Sequence, residues 1–250
     1  DEDSINSLMD IYLKWMSREK IFTTDLWSSE LSKLIANALL AQRISSINSF
    51  SALCEKTGAN IQDVSLAIGL DKRIGKYFLN AGPGFGGSCF KKDILNLIYI
   101  CNHYGLYEVS NYWQKVLDIN NWQQNRIVNE IVNQMFGTIT DKKIAILGFS
   151  FKANTNDTRE SPSKYVCQKL LEEGSKLAIY DPKVSAEQIK KDLDQEVNLN
   201  DEYSKNHIEI FDSIKESVTG ADAIVVMTDW EEFKLIDWED VSNLMRSPSW

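Results

Sequence analysis

The apolar pattern of this chain changes period once, near Gly137, and that change constrains the fold more than any other feature. Before it, apolar residues recur at three- and four-residue spacing. After it, short continuous apolar runs alternate with helical stretches. Leu31, Leu34, Ile35, Ala38, Leu39, Ala41, Ile44, Ile47 and Leu53 follow the helical repeat, with neither Pro nor Gly before Gly58. This predicts one helix of roughly 30 residues, about 45 Å long, capped by Asp25 or Ser28 with Glu30 in its first turn. In a soluble protein such a helix forms a spine between domains or a subunit interface. Further helices are predicted over 5–16, 61–68, 94–104 and 109–135, and a short strand over 21–24.

Beyond Gly137, Lys143–Gly148, Lys176–Asp181, Ile208–Phe211 and Asp222–Thr228 read as buried strands. Between the first two, Ser161–Glu173 reads as a helix closed by Gly174. Strands alternating with helices predict an α/β fold built on a parallel, doubly wound sheet. The expected organisation is a helical segment over 25–136 and a sheet domain over 137–250.

Composition removes several classes of function. With 27 basic and 36 acidic residues the formal charge is −9, which argues against a nucleic-acid partner, since that needs a basic surface. A few local cations can still hold an anionic small molecule. No apolar run reaches the length of a membrane span, and the acidic start Asp1-Glu2-Asp3 is no signal peptide. The chain lacks an initiator Met and stops at Ser-Pro-Ser-Trp250, where an α/β pattern calls for another strand, so a piece of a longer protein is expected. The four cysteines form no CxxC pair, and His103 and His207 are the only histidines. No metal site is expected; free thiols point to a reducing, cytoplasmic compartment.

Chemistry concentrates in Gly84-Phe-Gly-Gly-Ser-Cys89. Glycines let backbone come close to a ligand, and the loop delivers Cys89 to the start of a helix. A thiol there meets unpaired N–H groups and the positive end of the helix dipole, so its pKa should fall; Lys91 and Lys92 add to this. Asp93 faces the same side if the helix begins at Ser88. Cys54, Cys101 and Cys167 read as small buried hydrophobes. Lys33 and Asn37 share one helical face in an apolar stretch, where Lys33 either has a specific partner or, the favoured reading on spacing alone, snorkels to water. The strand end Gly148-Phe-Ser-Phe-Lys152 lacks G-x-G-x-x-G, and Phe149 and Phe151 stand where a phosphate wants small residues. The sheet domain is therefore not expected to hold a dinucleotide in the usual way. Lys152 and Arg159 suit a phosphate or carboxylate, or are solvated loop charges.

Gly84–Asp93 resembles the catalytic loop of the nucleotide-sugar 6-dehydrogenases. Trp27–Asn37 with Ala41–Asn48 resembles their central helix, in the wording of members that oxidise UDP-glucose, and Lys143–Lys152 with Asp157-Thr-Arg-Glu160 resembles the opening of their UDP-sugar-binding domain. The resemblance covers nearly the whole chain and is weakest over 185–215. It implies a Rossmann-like second domain, truncated at its C-terminus, and makes residues 1–24 the tail of an NAD-binding domain that the chain otherwise lacks. The implied reaction oxidises C6 of UDP-glucose to UDP-glucuronate and reduces two NAD, through a thiohemiacetal and a thioester on Cys89. Lys33 would stabilise the oxyanion, Asp93 orient water and Asn37 bind the sugar or intermediate. Phe78, Leu79, Asn80, Ala81, Gly82, Pro83, Gly84, Phe85, Gly86 and Phe90 would wrap the UDP-sugar, with Phe151 and Lys152 from the second domain, and Arg73 would reach a neighbouring subunit's site. Cys89, Phe90, Lys91, Lys92 and Arg159 would touch the cofactor, and self-association as a dimer or hexamer through the central helix is implied. Asn80, Gly82 and Pro83 depart from the commonest animal wording, which leaves sugar preference open. The alternatives are a relative acting on UDP-N-acetylmannosamine, UDP-N-acetylglucosamine or GDP-mannose, an inactive UDP-sugar-binding and dimerisation module, or a redox or structural role for the thiols.

Overall fold

The computed structural model describes residues 2–197 and 206–250. Five helices come first: α1 (Glu2–Tyr12), α2 (Leu26–Thr57), α3 (Ile61–Gly69), α4 (Phe90–His103) and α5 (Tyr107–Gln134). The parallel layer follows, with β1 (Lys143–Leu147), α6 (Pro162–Glu172), β2 (Lys176–Tyr180), α7 (Ala186–Val197), β3 (Ile208–Ile210) and β4 (Ala223–Val226). The fold is therefore the expected α/β arrangement of a helical half and a parallel sheet.

Helix α2 is bounded by its own sequence. The Asp25 carboxylate accepts the Ser28 N–H at 2.9 Å, filling one of the four orphan donors of the first turn. At the other end Gly58 adopts φ +75° and its N–H returns to the Cys54 carbonyl, a left-handed exit that glycine makes without strain. Two expectations fail at the start of the chain. α1 ends at Tyr12 instead of Met16, and no strand forms over 21–24. A strand exists through its ladder; this segment meets no neighbouring strand, and the Phe22 side chain stands in solvent.

The sheet order is β3-β2-β1-β4, every pair parallel, with Ile144 opposite both Leu177 and Ala223. Alternation along β1 explains its continuous apolar run. Ile144 and Ile146 enter a core with Val166, Leu170 and Ile179, while Ala145 and Leu147 enter a second core with Val218, Trp230 and Phe233. Both faces are covered, as parallel sheets require.

Helix α5 joins the halves. Val116 and Leu117 pack with Ala38, Ala41, Phe85, Ile94 and Leu97. Three turns on, Val128 and Ile131 belong to the first sheet core, with Met135 just past the helix end. One continuous rod thus contributes to both cores, and it sets the loop before α4 against the C-terminal ends of the strands.

Candidate active site

Cys89 lies at the N-cap of α4, with φ −98° and ψ −52°. Its backbone is already helical, and the Asp93 N–H donates to its carbonyl at 2.9 Å. The helix therefore begins at Phe90, four residues before the expected start at Ile94, and Cys89 and Asp93 stand one turn apart. Their surroundings differ: the thiol is exposed, whereas Asp93 is buried. Cys54, Cys101 and Cys167 are all buried, and burial pushes the Cys167 thiol far above its ordinary pKa.

Asp93 is the meeting point of the cluster. Its Oδ2 accepts from Lys33 Nζ at 2.5 Å and from Asn37 Nδ2 at 2.6 Å. The i, i+4 spacing on α2 puts both donors over one carboxylate oxygen. Lys33 is thus tied to a partner and does not simply snorkel; spacing along one helix carries no information about an acid 60 residues away. Burial works to raise the Asp93 carboxyl, but the hydrogen bonds from Lys33 and Asn37, with the charges of Lys33 and Lys92, outweigh it and hold it below the usual range. The same bond raises the Lys33 ammonium, to which a thiolate at Cys89 adds a smaller contribution. The Asp93 side chain is 3% exposed and that of Lys33 59%. One end of the pair is fixed in the protein, while the ammonium has N–H groups left to offer outward.

The glycines make close approaches within the protein itself. A Cβ at Gly86 would lie 2.4 Å from the Glu160 carbonyl oxygen, and one at Gly87 would lie 2.9 Å from the Phe151 ring. Gly84, at φ +117°, would meet Asn120 Oδ1 at 2.8 Å. Close approach is needed here to other parts of the protein. The Gly87 N–H donates to the Arg159 carbonyl at 2.8 Å, and Lys91 pairs with Glu160 at 2.7 Å. These contacts bring Arg159 beside the start of α4. Its guanidinium forks onto Asp157, with Nη2 to Oδ2 at 2.6 Å. That pairing raises Arg159, with a smaller contribution from a charged Cys89.

The remaining expected residues divide. Phe85 is buried and Phe90 partly so, their rings edge-to-face at 5.8 Å. Phe78, at φ +60°, has its ring centroid 6.5 Å from that of Phe90. Leu79 is buried, whereas Asn80 and Ala81 are exposed and Gly82 and Pro83 half-buried. Phe151 lies against Gly87, with Lys152 Nζ over its ring at 5.4 Å. Lys92 is exposed. Arg73 joins none of these: it is exposed and forks onto Asp71. Among the described residues no group of His, Cys, Asp and Glu is arranged to hold a metal, and no helix is long and apolar enough to cross a membrane.

Two features escaped the sequence. The crevice at the strand ends is filled from within by Asp181, whose Oδ2 accepts from the N–H groups of Phe149 (2.7 Å) and Ser150 (3.1 Å) and from Trp230 Nε1 (3.2 Å). Its Oδ1 takes the N–H groups of Lys183 and Val184. A buried carboxylate thus ties the backbone after β1 to the turn after β2. The second is Arg43 of α2. Its guanidinium donates to the carbonyls of Ile74, Gly75 and Tyr77 at 2.8–3.0 Å, bracing the turn before the loop.

Comparison with known proteins assigns the class. Residues 27–122 match the model of the UDP-glucose/GDP-mannose dehydrogenase family, central domain, and residues 145–250 match that family's UDP binding domain. The chain belongs to the UDP-glucose/GDP-mannose dehydrogenase family. Within it, the chain is 52% identical to the UDP-glucose 6-dehydrogenase of Pongo abelii over 246 residues, 98% of this chain and 50% of that protein. It is 49% identical to UDP-glucose 6-dehydrogenase 1 of Glycine max over 257 residues, 99% of this chain and 54% of that protein. Among solved structures, a UDP-glucose dehydrogenase from Pyrobaculum islandicum superposes with TM-score 0.79 at 28% identity, over 95% of this chain and 51% of that one. The chain spans about half the length of the curated relatives it matches.

Proposed function

We propose that the complete polypeptide oxidises the C6 alcohol of UDP-glucose to the carboxylate of UDP-glucuronate in two NAD-dependent steps, with this chain supplying the thiol and the uridine-side domain. The observation that carries the reading is the placement of an exposed Cys89 one helical turn from Asp93, a buried acid already bonded to Lys33 and Asn37 of α2.

Exposed cations beside Cys89, namely Lys92 and Arg159, fit one wall of a site for a dinucleotide, and Phe90 and Lys91 complete it. The chain's own sheet is not taken to hold one: the turn after β1 lacks G-x-G-x-x-G, and its Phe149 and Ser150 amides already donate to Asp181. When bound, NAD supplies the hydride acceptor. Lys33 stabilises the developing C6 oxyanion with an N–H not spent on Asp93. Loss of a first hydride from C6, with the hydroxyl proton released, gives the aldehyde; the Cys89 thiolate adds to it to give the thiohemiacetal as a C6 oxyanion, and loss of the second C6 hydride leaves a thioester on the same sulfur. Asp93 orients the water that replaces the sulfur, and Asn37 binds the sugar or the intermediate. Residues 78–86 with Phe90 wrap the UDP-sugar, Phe151 and Lys152 close it from the sheet half, and Arg73 reaches the site of a second subunit. Self-association uses α2, where Leu39, Phe50 and Leu53 present apolar side chains to solvent.

The test is turnover of the complete polypeptide on UDP-glucose, UDP-N-acetylmannosamine, UDP-N-acetylglucosamine and GDP-mannose, read as NADH absorbance. UDP-glucose is expected to turn over and Cys89→Ser to abolish acid formation. Inert UDP-glucose beside an active alternative sugar would remove the substrate assignment, and a fully active Cys89→Ser would remove the mechanism. The 250-residue stretch alone is expected to oxidise nothing.

A further inference from the structure

Between Leu79 and Gly86 the loop that leads to Cys89 forms neither helix nor strand, so no ladder sets its position. Carboxamides do so at two points. The Gly82 N–H donates to Asn48 Oδ1 at 2.8 Å, and the Gly82 carbonyl accepts from Gln123 Nε2 at 2.9 Å. Three residues on, the Phe85 N–H donates to Asn120 Oδ1 at 2.8 Å, and the Phe85 carbonyl accepts from Asn120 Nδ2 at 3.2 Å. Asn120 and Gln123 stand one turn apart on α5 and Asn48 stands on α2; all three are buried. A carboxamide that takes both backbone groups of one residue does for it what a neighbouring strand would do. The glycine pattern follows from this, since any side chain at Gly84 would collide with Asn120 Oδ1.

We propose that Asn120 is a positioning residue for the chemistry at Cys89, and that Gln123 with Asn48 positions the part of the loop around Gly82. Asn120 does not touch the sulfur. It fixes Phe85, four residues before Cys89, and only Gly86, Gly87 and Ser88 lie between. A shift at Phe85 therefore passes to the thiol and changes its distance from Lys33 and Asp93. Gly82 lies seven residues from the thiol, in the segment proposed to wrap the UDP-sugar, so a shift there is felt in binding. The inference rests on the proposed role of Cys89.

The experiment compares Asn120→Ala, Asn120→Asp and Gln123→Ala in the complete polypeptide, with UDP-glucose varied at saturating NAD and thermal unfolding recorded for each. Misplacement of a reacting group by about 1 Å costs on the order of 100-fold in rate. Asn120→Ala is expected to lower kcat by about 10- to 100-fold, with KM changed less than about threefold. Gln123→Ala is expected to act mainly on KM. Asn120→Asp keeps the acceptor for the Phe85 N–H and should recover part of the lost kcat. A role in stability alone would instead lower Tm in both Ala variants and leave their kcat-to-KM balance alike; that result overturns the proposal, as does a kcat within about twofold of the parent for Asn120→Ala. Should Asn120→Ala fail to fold, Asn120→Asp decides, and an unchanged kcat overturns the proposal. An inactive Cys89→Ser beside a fully active Asn120→Ala sinks only the positioning role, whereas an active Cys89→Ser sinks the functional reading beneath it.

Discussion

Replacing Gly86 by Ala isolates the contact between the thiol loop and the sheet half. The new Cβ would lie 2.4 Å from the Glu160 carbonyl oxygen, 2.9 Å from Phe151 Cβ and 3.0 Å from the Glu160 carbonyl carbon. Ordinary contact begins near 3.4 Å, so the oxygen must retreat by roughly 1 Å, and it is backbone, which cannot rotate away. Overpacking of this kind costs about 1–3 kcal/mol. Parting the segments instead loses the bond from the Gly87 N–H to the Arg159 carbonyl, about 0.5–1.5 kcal/mol, and the packing of Phe151 on Gly87. Gly82→Ala is the control. Gly82, like Gly86, has no positive φ, and a Cβ there meets nothing within 4 Å. It should gain about 0.4–1 kcal/mol from a less flexible unfolded chain. That gain is common to both variants and cancels, so they are expected to differ by the overpacking cost of about 1–3 kcal/mol, with Gly86→Ala the weaker. Urea unfolding followed by tryptophan fluorescence and far-ultraviolet circular dichroism reads the difference, provided the two transitions coincide. If Gly86→Ala unfolds within about 0.5 kcal/mol of Gly82→Ala, the loop is not pressed against Glu160 and the argument from close approach is wrong.

Asp181→Asn should destabilise the sheet half by about 1.5–3 kcal/mol, because an amide turns an N–H₂ toward donors that the second carboxylate oxygen now accepts; an unchanged urea midpoint would refute this. The Asp93 carboxyl, held below the roughly 3.9 of a free aspartate, contributes stability that is fully present above that value and is lost as pH falls through its lower folded pKa. A carboxyl titration followed by NMR should place the Asp93 midpoint below the free value, and Lys33→Met should move it upward. A wild-type midpoint at or above the free value contradicts the bonding described.

Much of the fold was legible because its signals are local. The run Ile144–Leu147 reads as a strand covered on both faces, and Ser161 and Gly174 mark the two ends of α6 without reference to any distant residue. Asp25 and Gly58 bound α2 in the same way. The segment 21–24 misled because its composition suits a strand, whereas a strand needs a ladder and this segment meets none among the described residues. Lys33 misled for a similar reason: its environment is set by Asp93, which only the packing of α4 on α2 brings near.

The candidate site was legible in its identities and illegible in its supports. Cys89 stands out by residue type and by the glycines before it, whereas Lys33, Asn37 and Asp93 are nominated by spacing and by the family resemblance, and the structure brings these three together. Asn48, Asn120 and Gln123 are ordinary polar residues on helices, and nothing in their spacing distinguishes a buried carboxamide gripping a loop from one facing water. The glycines are the harder case. A glycine registers that something comes close but has no side chain to say what. At Gly84, Gly86 and Gly87 the close neighbours are Asn120, Glu160 and Phe151. A glycine-rich loop beside a nucleophile therefore supports two readings, ligand approach and tight anchorage. Here the second accounts for these three glycines, which means that the loop owes its placement to the protein before any substrate arrives.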